Sequence, residues 1–201
     1  MVRRGALAAA VALERAEARL TELDAAAGDG DLGASMTRGA AAIRALPEET
    51  WSLNPSAVLT RMAHALRRAI AGSSGPFYAT ALLRAAQSLP ETPTARDWSV
   101  ALSAGVGAIA ELGGAKPSDR TMLDALYPAA DAFAAGLTAG RSASEAWAAG
   151  VEAAREGAAA TAGMYPKLGR ASYLGERAIG IPDPGAEAVL IWMQAVWPVK
   201  R

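Results

Sequence analysis

The sequence predicts an all-α fold, and three observations carry that expectation. Apolar residues recur at three- and four-residue steps along most of the chain, the spacing of an amphipathic helix. Alanine supplies much of the 52% apolar content while only 5% of residues are aromatic, and small side chains let helices approach closely. Glycine and proline gather between the periodic stretches, and no stretch alternates as a strand would. The chain of 201 residues is read as one domain, 1–201, large enough to bury a core.

Taken in order, the pattern gives eight helices. The first runs from about residue 6 to 26, with Leu7, Val11, Leu20 and Leu23 available for a buried face. The second takes Gly33 to about Ala45 and closes at Leu46-Pro47. Asn54-Pro55 reads as an N-cap with proline behind it, opening a third helix to about Ala71. Val58, Leu59, Met62, Leu66 and Ile70 form its apolar stripe, and His64 lies off it as a surface residue. The fourth runs from about Phe77 to Leu89, and the fifth from about Asp97 to Leu112, capped by Thr94. Ser118 or Asp119 can cap the sixth, about Arg120 to Thr138, and Ser142 with Glu145 fits a capping box for the seventh, to about Thr161. Residues 163–184 lack helical periodicity, and Asp183-Pro184 then starts the eighth, Gly185 to about Trp197.

Composition excludes several classes. Formal net charge is zero with no Lys/Arg block, which argues against nucleic acid as a partner. Cysteine is absent, so there is no disulfide or thiolate chemistry, and one histidine cannot make a multi-histidine zinc site. The first residues carry two arginines, a short apolar run and an Ala-Glu-Ala tripeptide, features of a secretory leader. Glu14, Arg15, Glu17 and Arg19 continue in helical rhythm, so the segment is read as helix and the protein as cytoplasmic. No apolar run approaches the roughly 18 residues of a membrane span.

The chemistry concentrates in LDAAAGDGD, which places Asp24, Asp29 and Asp31 within eight residues and interrupts the helix with Gly28 and Gly30. A turn there brings the carboxylates together. Oxygen donors without soft ligands suit Mg²⁺, which takes one or two carboxylates, waters and phosphate oxygens. A helix beginning near Gly33 could add backbone N–H groups to the phosphates. A solvated acidic turn is the alternative reading of the same residues.

Four breaks between helices hold the uncommon residues: LDAAAGDGD, GSSGPFYA, GGAKPSDRTMLDAL and GRASYLGERAIGIPDPGA. In this combination and order they resemble the nucleotide-binding L subunit of dihydroxyacetone kinase, from about residue 7 to 197. The resemblance implies an antiparallel barrel of eight amphipathic helices with the nucleotide, ADP or ATP, in the loops at one end. It implies two Mg²⁺ ions on Asp24, Asp29 and Asp31, with Arg170 completing the catalytic group. The phosphates would lie against Leu32, Gly33, Ala34, Ser35, Ser73 and Ser74. Thr121 and Met122 match positions near the adenine with Phe77 beside them, and Gly113, Arg170, Asp183 and Gly185 match further nucleotide contacts. Two positions depart from the family: Leu32 replaces a histidine and Ser118 a glycine.

A functional expectation follows from the resemblance. The chain is read as the phosphotransfer subunit of a glycerone kinase, with the ketose held on a separate K subunit and a phosphocarrier M subunit as possible donor. Leu32 leaves another short sugar open as substrate, and a nucleotide-binding regulatory role is the reading of another class. No exposed aromatic patch is evident from sequence, which suits a transient encounter with the partner.

Overall fold

Helices rich in alanine and glycine can pack with their backbones close, and here they do so in a ring. The computed structural model describes residues 2–197. Among them nine α-helices follow in order: α1 Val2–Arg15, α2 Glu17–Ala27, α3 Leu32–Arg44, α4 Pro55–Ala69 and α5 Ser74–Gln87. They continue with α6 Ala95–Gly113, α7 Leu123–Thr138, α8 Ala143–Ala160 and α9 Pro184–Val196. From α3 onward each helix packs against the next in sequence, and α9 returns to α1 and α2, which also pack on α3. The result is the expected all-α barrel. Among the described residues no strand occurs, and no helix is long and apolar enough to cross a membrane.

The eight-helix expectation needs one correction, because its first helix is two. At Ala16 the backbone N–H is shared between the carbonyls of Ala12 (3.1 Å) and Leu13 (3.2 Å), a local tightening that ends α1 and starts α2. The pair still forms one arm of the ring. Val11, assigned to its buried face, is 37% exposed, while Gly5, Ala6 and Ala10 are buried. The small residues win there because α1 lies close to α9: a Cβ on Gly5 would stand 3.2 Å from the Val196 carbonyl oxygen.

Four helices start at side-chain caps, as the sequence predicts. Asn54 accepts from the Ala57 N–H at 2.9 Å and Asp183 from the Ala186 N–H at 2.8 Å. Thr94–Asp97 and Ser142–Glu145 form reciprocal capping boxes. Each such cap satisfies backbone donors that a helix start leaves unpaired. His64 is exposed on α4, as expected.

The main core joins α6, α7, α8 and α9 through Leu123, Leu126, Phe133, Trp147, Val189 and Met193. Phe133 and Trp147 meet edge to face with ring centres 5.3 Å apart, and the Trp147 Nε1–H donates to the Met193 carbonyl at 3.1 Å. Leu20, Leu32, Met36, Ile70 and Ala188 form a second cluster between α2, α3 and α9. Inside the ring lies an apolar cavity of about 300 Å³, lined among others by Leu13, Met36, Leu66, Tyr78 and Trp192.

The crossing of α7 on α8 depends on glycine. A Cβ on Gly136 would lie 2.9 Å from Ala146, one on Gly150 would lie 3.0 Å from the Ala129 carbonyl, and one on Gly157 would fall on the Asp124 carbonyl. Gly157→Ala should therefore cost about 1–3 kcal/mol as overpacking against fixed backbone. The check is a melting curve: a fall of several degrees is expected, at roughly 2–4 °C per kcal/mol for a chain this size.

Candidate functional site

In an up-and-down ring, alternate connections share an end. Residues 28–31, 70–73, 114–122 and 161–183 therefore join their helices at one end, and residues 45–54, 88–94 and 139–142 at the other. Cross-links agree. The Lys167 ammonium reaches Asp119 Oδ1 at 2.9 Å and Arg170 pairs with Asp29, tying the α8–α9 connection to two others. At the far end Arg3 of α1 pairs with Glu48 at 2.6 Å.

Asp24 lies in the last turn of α2, Asp29 in the turn, and Asp31 at the N-cap of α3. One oxygen from each of the three lies within 4.8 Å of the others. Glycine makes this convergence possible. A Cβ on Gly28 would stand 2.6 Å from Asp24 Oδ1, and Gly30 adopts φ +77°. Asp24 Oδ2 accepts the Leu32 N–H at 3.0 Å, fixing the carboxylate to the helix start. The Arg170 guanidinium bonds to Asp29, and its other terminal nitrogen is 4.0 Å from Asp31 Oδ2. Hard oxygen donors gathered around a shared position, already attracting a cation, fit a divalent metal.

At the start of α3, the Leu32 N–H goes to Asp24 and the Ser35 N–H to the Asp31 carbonyl. The N–H groups of Gly33 and Ala34 have no carbonyl within their own helix to bond. Leu32 turns its side chain into the core cluster with Leu20 and Met36, so the loss of a polar group there is also a gain of packing. Gly33 is required by packing as well, since a Cβ would fall on the Thr21 hydroxyl and the Glu17 carbonyl. The Ser35 hydroxyl accepts from Arg38 at 2.8 Å.

Ser73 and Ser74 open α5, which starts three residues before the expected Phe77 because Gly75 and Pro76 fit its first turn. Neither hydroxyl is used as a helix cap. The Phe77 ring lies against Gly113, 3.1 Å from where a Cβ would stand. Gly185 is bracketed by Asp183 Oδ1 and Met122 Cβ, 3.1 and 3.4 Å from its own virtual Cβ. The structure thus forms three local groups at one end: the carboxylates with Arg170 and Leu32, Phe77 with Gly113, and Met122 with Asp183 and Gly185. Burial pushes the Asp183 carboxyl up to about 6, against the pull of the Ala186 N–H and Arg120.

The sixth expected helix is corrected here. It begins at Leu123, not Arg120, and neither Ser118 nor Asp119 caps it. Ser118 and Arg120 hold left-handed backbone, at φ +68° and +63°, which a helix start cannot include. Asp124 folds back to accept the N–H groups of Ser118 and Thr121 (2.8 Å for Thr121), and Asp119 accepts the Lys116 N–H at 2.7 Å. That bond and the Lys167 ammonium hold the Asp119 carboxyl below the usual carboxylate range. Sequence reasoning missed three supports of the site: Asp124, Lys167 and Arg120. Arg120 is buried and donates to the carbonyls of Ala178 (3.1 Å) and Ile181 (2.8 Å), gripping the α8–α9 connection. The aspartates five residues apart in a proline-containing turn were the available signal; Arg120 had none.

This all-helical ring with carboxylates converging at one end has known counterparts. The model of the DAK2 domain matches residues 26–197, so the chain belongs to the DAK2-domain family. It is 40% identical over 186 residues to triokinase/FMN cyclase of Mus musculus, covering 92% of this chain and 32% of that protein. It is 36% identical over 202 residues to D-erythrulose kinase of Mycolicibacterium smegmatis, covering 98% of this chain and 34% of that one. The dihydroxyacetone kinase of C. freundii, solved in complex with AMP-PNP and Mg²⁺, superposes with a TM-score of 0.78 at 28% identity. That match covers 99% of this chain and 34% of the other. The relatives are kinases, and the chain spans about a third of their length.

Ser118 holds left-handed backbone at φ +68°, which costs a side chain about 1–2 kcal/mol. The residue is exposed and its side chain makes no hydrogen bond among the described residues. Ser118→Gly should therefore stabilise the fold by about 1 kcal/mol, less what glycine adds to unfolded-chain entropy. Differential scanning calorimetry checks it: a rise of one to a few degrees is expected, in keeping with about 2–4 °C per kcal/mol.

Proposed function

We propose that the chain is the nucleotide-holding phosphotransfer unit of a short-ketose kinase, binding ADP or ATP with two Mg²⁺ and acting on a sugar presented by a separate unit. One observation carries this reading: Asp24, Asp29 and Asp31 converge beside Arg170, at the barrel end shared by all four distinctive loops. The solved relative bound AMP-PNP and Mg²⁺, and one curated relative, the D-erythrulose kinase of Mycolicibacterium smegmatis, is named for phosphorylating a ketose. Divalent ions on the three carboxylates would neutralise a polyphosphate. The chain's own groups supply the rest: free N–H groups at Gly33 and Ala34, hydroxyls at Ser73 and Ser74, and Phe77, Thr121 and Met122 beside Gly113, Asp183 and Gly185 for the base. Positioning and charge stabilisation are the main work of phosphoryl transfer, so none of the aspartates need act as a base.

The dependence on metal is directly measurable. Titration calorimetry with ADP should give tight binding in Mg²⁺ and at least tenfold weaker binding in chelator, because bare phosphates would face unneutralised carboxylates. Asp29→Asn and Asp31→Asn should weaken the Mg²⁺-dependent binding in the same direction. Equal affinity with and without chelator would overturn the metal assignment.

We propose a partner for the ketose because the chain's distinctive loops are otherwise assigned. Its four loops are all assigned to nucleotide, metals and phosphates, and its single histidine, His64, is exposed mid-helix on α4, away from them. We assign the ketose to a K subunit, or to a K domain of a longer chain, with a phosphocarrier M subunit or ATP as phosphoryl source. On the α8–α9 connection, which also carries Arg170, Tyr173 is 90% exposed and Tyr165 52% exposed. Exposed aromatics on this connection favour a docked partner. In a coupled assay the chain alone should be silent with dihydroxyacetone or erythrulose, and should turn over on adding a matching K subunit. Turnover by the isolated chain would refute the partner requirement. Silence with every K subunit, alongside intact ADP binding, would favour a regulatory nucleotide-binding role.

A further inference from the structure

We propose that Arg170 is an internal counter-cation for the three-carboxylate cluster, displaced from it when divalent metal binds. The proposal rests on the metal reading above and adds a regulation of that site. Three carboxylates whose oxygens lie within 4.8 Å of one another repel strongly unless a positive charge stands among them. Among the described residues Arg170 is the one basic side chain at ion-pair distance from any of the three, bonded to Asp29 and 4.0 Å from Asp31. Its contact is long-range in sequence: it draws the α8–α9 connection onto the α2–α3 turn, 141 residues apart.

The guanidinium and a metal ion need the same oxygens. One guanidinium carries a single charge and engages Asp29 and Asp31, while Asp24 is left with the Leu32 N–H as its partner. A divalent ion carries twice the charge and can take an oxygen from all three, so it wins the exchange once present at sufficient concentration. The backbone around Arg170 suits such a movement. Gly169 and Gly175 hold φ +68° and +57° on either side of its four-residue 3-10 turn, and the side chain is 59% exposed. The released guanidinium keeps its charge at the rim of the site, where a phosphate is the group it can next pair with. Metal arrival and delivery of the arginine to the phosphates are thereby one event.

The test is thermal melting of wild type, Arg170→Gln and Arg170→Lys without nucleotide, in chelator and across a Mg²⁺ titration. Mg²⁺ affinity is measured in parallel by calorimetry. Arg170→Gln should melt below wild type in chelator, and saturating Mg²⁺ should close that gap. Its Mg²⁺ affinity should rise about five-fold, the factor set by losing an exposed ion pair of the stronger kind. Arg170→Lys, a cation without the fork, should fall between the two. A merely structural arginine would give the same melting deficit in chelator and in Mg²⁺, and that result overturns the proposal. So does an unchanged or weakened Mg²⁺ affinity in Arg170→Gln while wild type responds. If neither protein responds to Mg²⁺, with or without ADP, the metal reading itself fails.

Discussion

Closure of the ring by α9 against α1 and α2 is the contact on which the rest of the structure depends. An open row of amphipathic helices would leave two unpaired apolar faces, and burying them is what the last helix does. Ala186, Ala188, Val189 and Met193 of α9 are all fully buried. Small residues on both sides allow the approach, as at Gly5 against Val196. Because the ring closes on alternating helices, every second connection must lie at the same end. The site is a consequence of that parity: residues spread from 24 to 185 meet because their loops have no other end to occupy.

Within that end, the backbone is placed largely by carboxylates that bond to it. Asp24 holds the start of α3, Asp119 and Asp124 fold the α6–α7 connection, and Asp183 caps α9. A carboxylate accepting an N–H is a strong, charge-assisted bond, and it sets a loop without needing a buried apolar anchor. The three aspartates facing the candidate metal differ in being incompletely used. Asp24 spends one oxygen on Leu32, and Asp29 and Asp31 face an arginine carried on a short 3-10 turn. The same residue type thus serves as scaffold where its oxygens are saturated by backbone, and as a cation receptor where they are not.

This division explains how much the sequence disclosed. Helix existence was legible because periodicity records burial on one face, and caps such as Asn54, Thr94, Ser142 and Asp183 were legible because their chemistry is local. The break at Ala16 was not, since neither glycine nor proline marks it and the tightening is imposed by packing on α3 and α9. The start of α7 was placed three residues early for a related reason. Nothing in Ser118 or Arg120 advertises left-handed backbone, and both are held there by Asp124, Asp119 and the carbonyls of the facing connection. Val11 fails in the same way: exposure is decided by a neighbour that the sequence does not name. The aspartate turn was legible because its glycines and carboxylates are adjacent in the chain, whereas the partnership of Asp29 with Arg170 is wholly tertiary.

The α8–α9 connection shows how an irregular segment can be ordered and still responsive. It has no long helix to bury, yet it is fastened on one side by Arg120 to its carbonyls and by Lys167 to Asp119. Its ends are drawn together by Thr161, whose hydroxyl accepts the Asp183 N–H at 2.8 Å, and by the Gly180 N–H to the Ala162 carbonyl at 2.7 Å. Those bonds are to backbone or to a carboxylate outside the metal cluster, so loading the site does not disturb them. On the other side the only ion pairs are those of Arg170 to Asp29 and Asp31, among the described residues, and these are made to the groups a metal would claim. The connection is therefore anchored where the fold is fixed and tethered where the ligand arrives. An ordinary flexible loop would report binding by becoming ordered. This one is already ordered, and the tether at Arg170 is the part of it that a cation can untie.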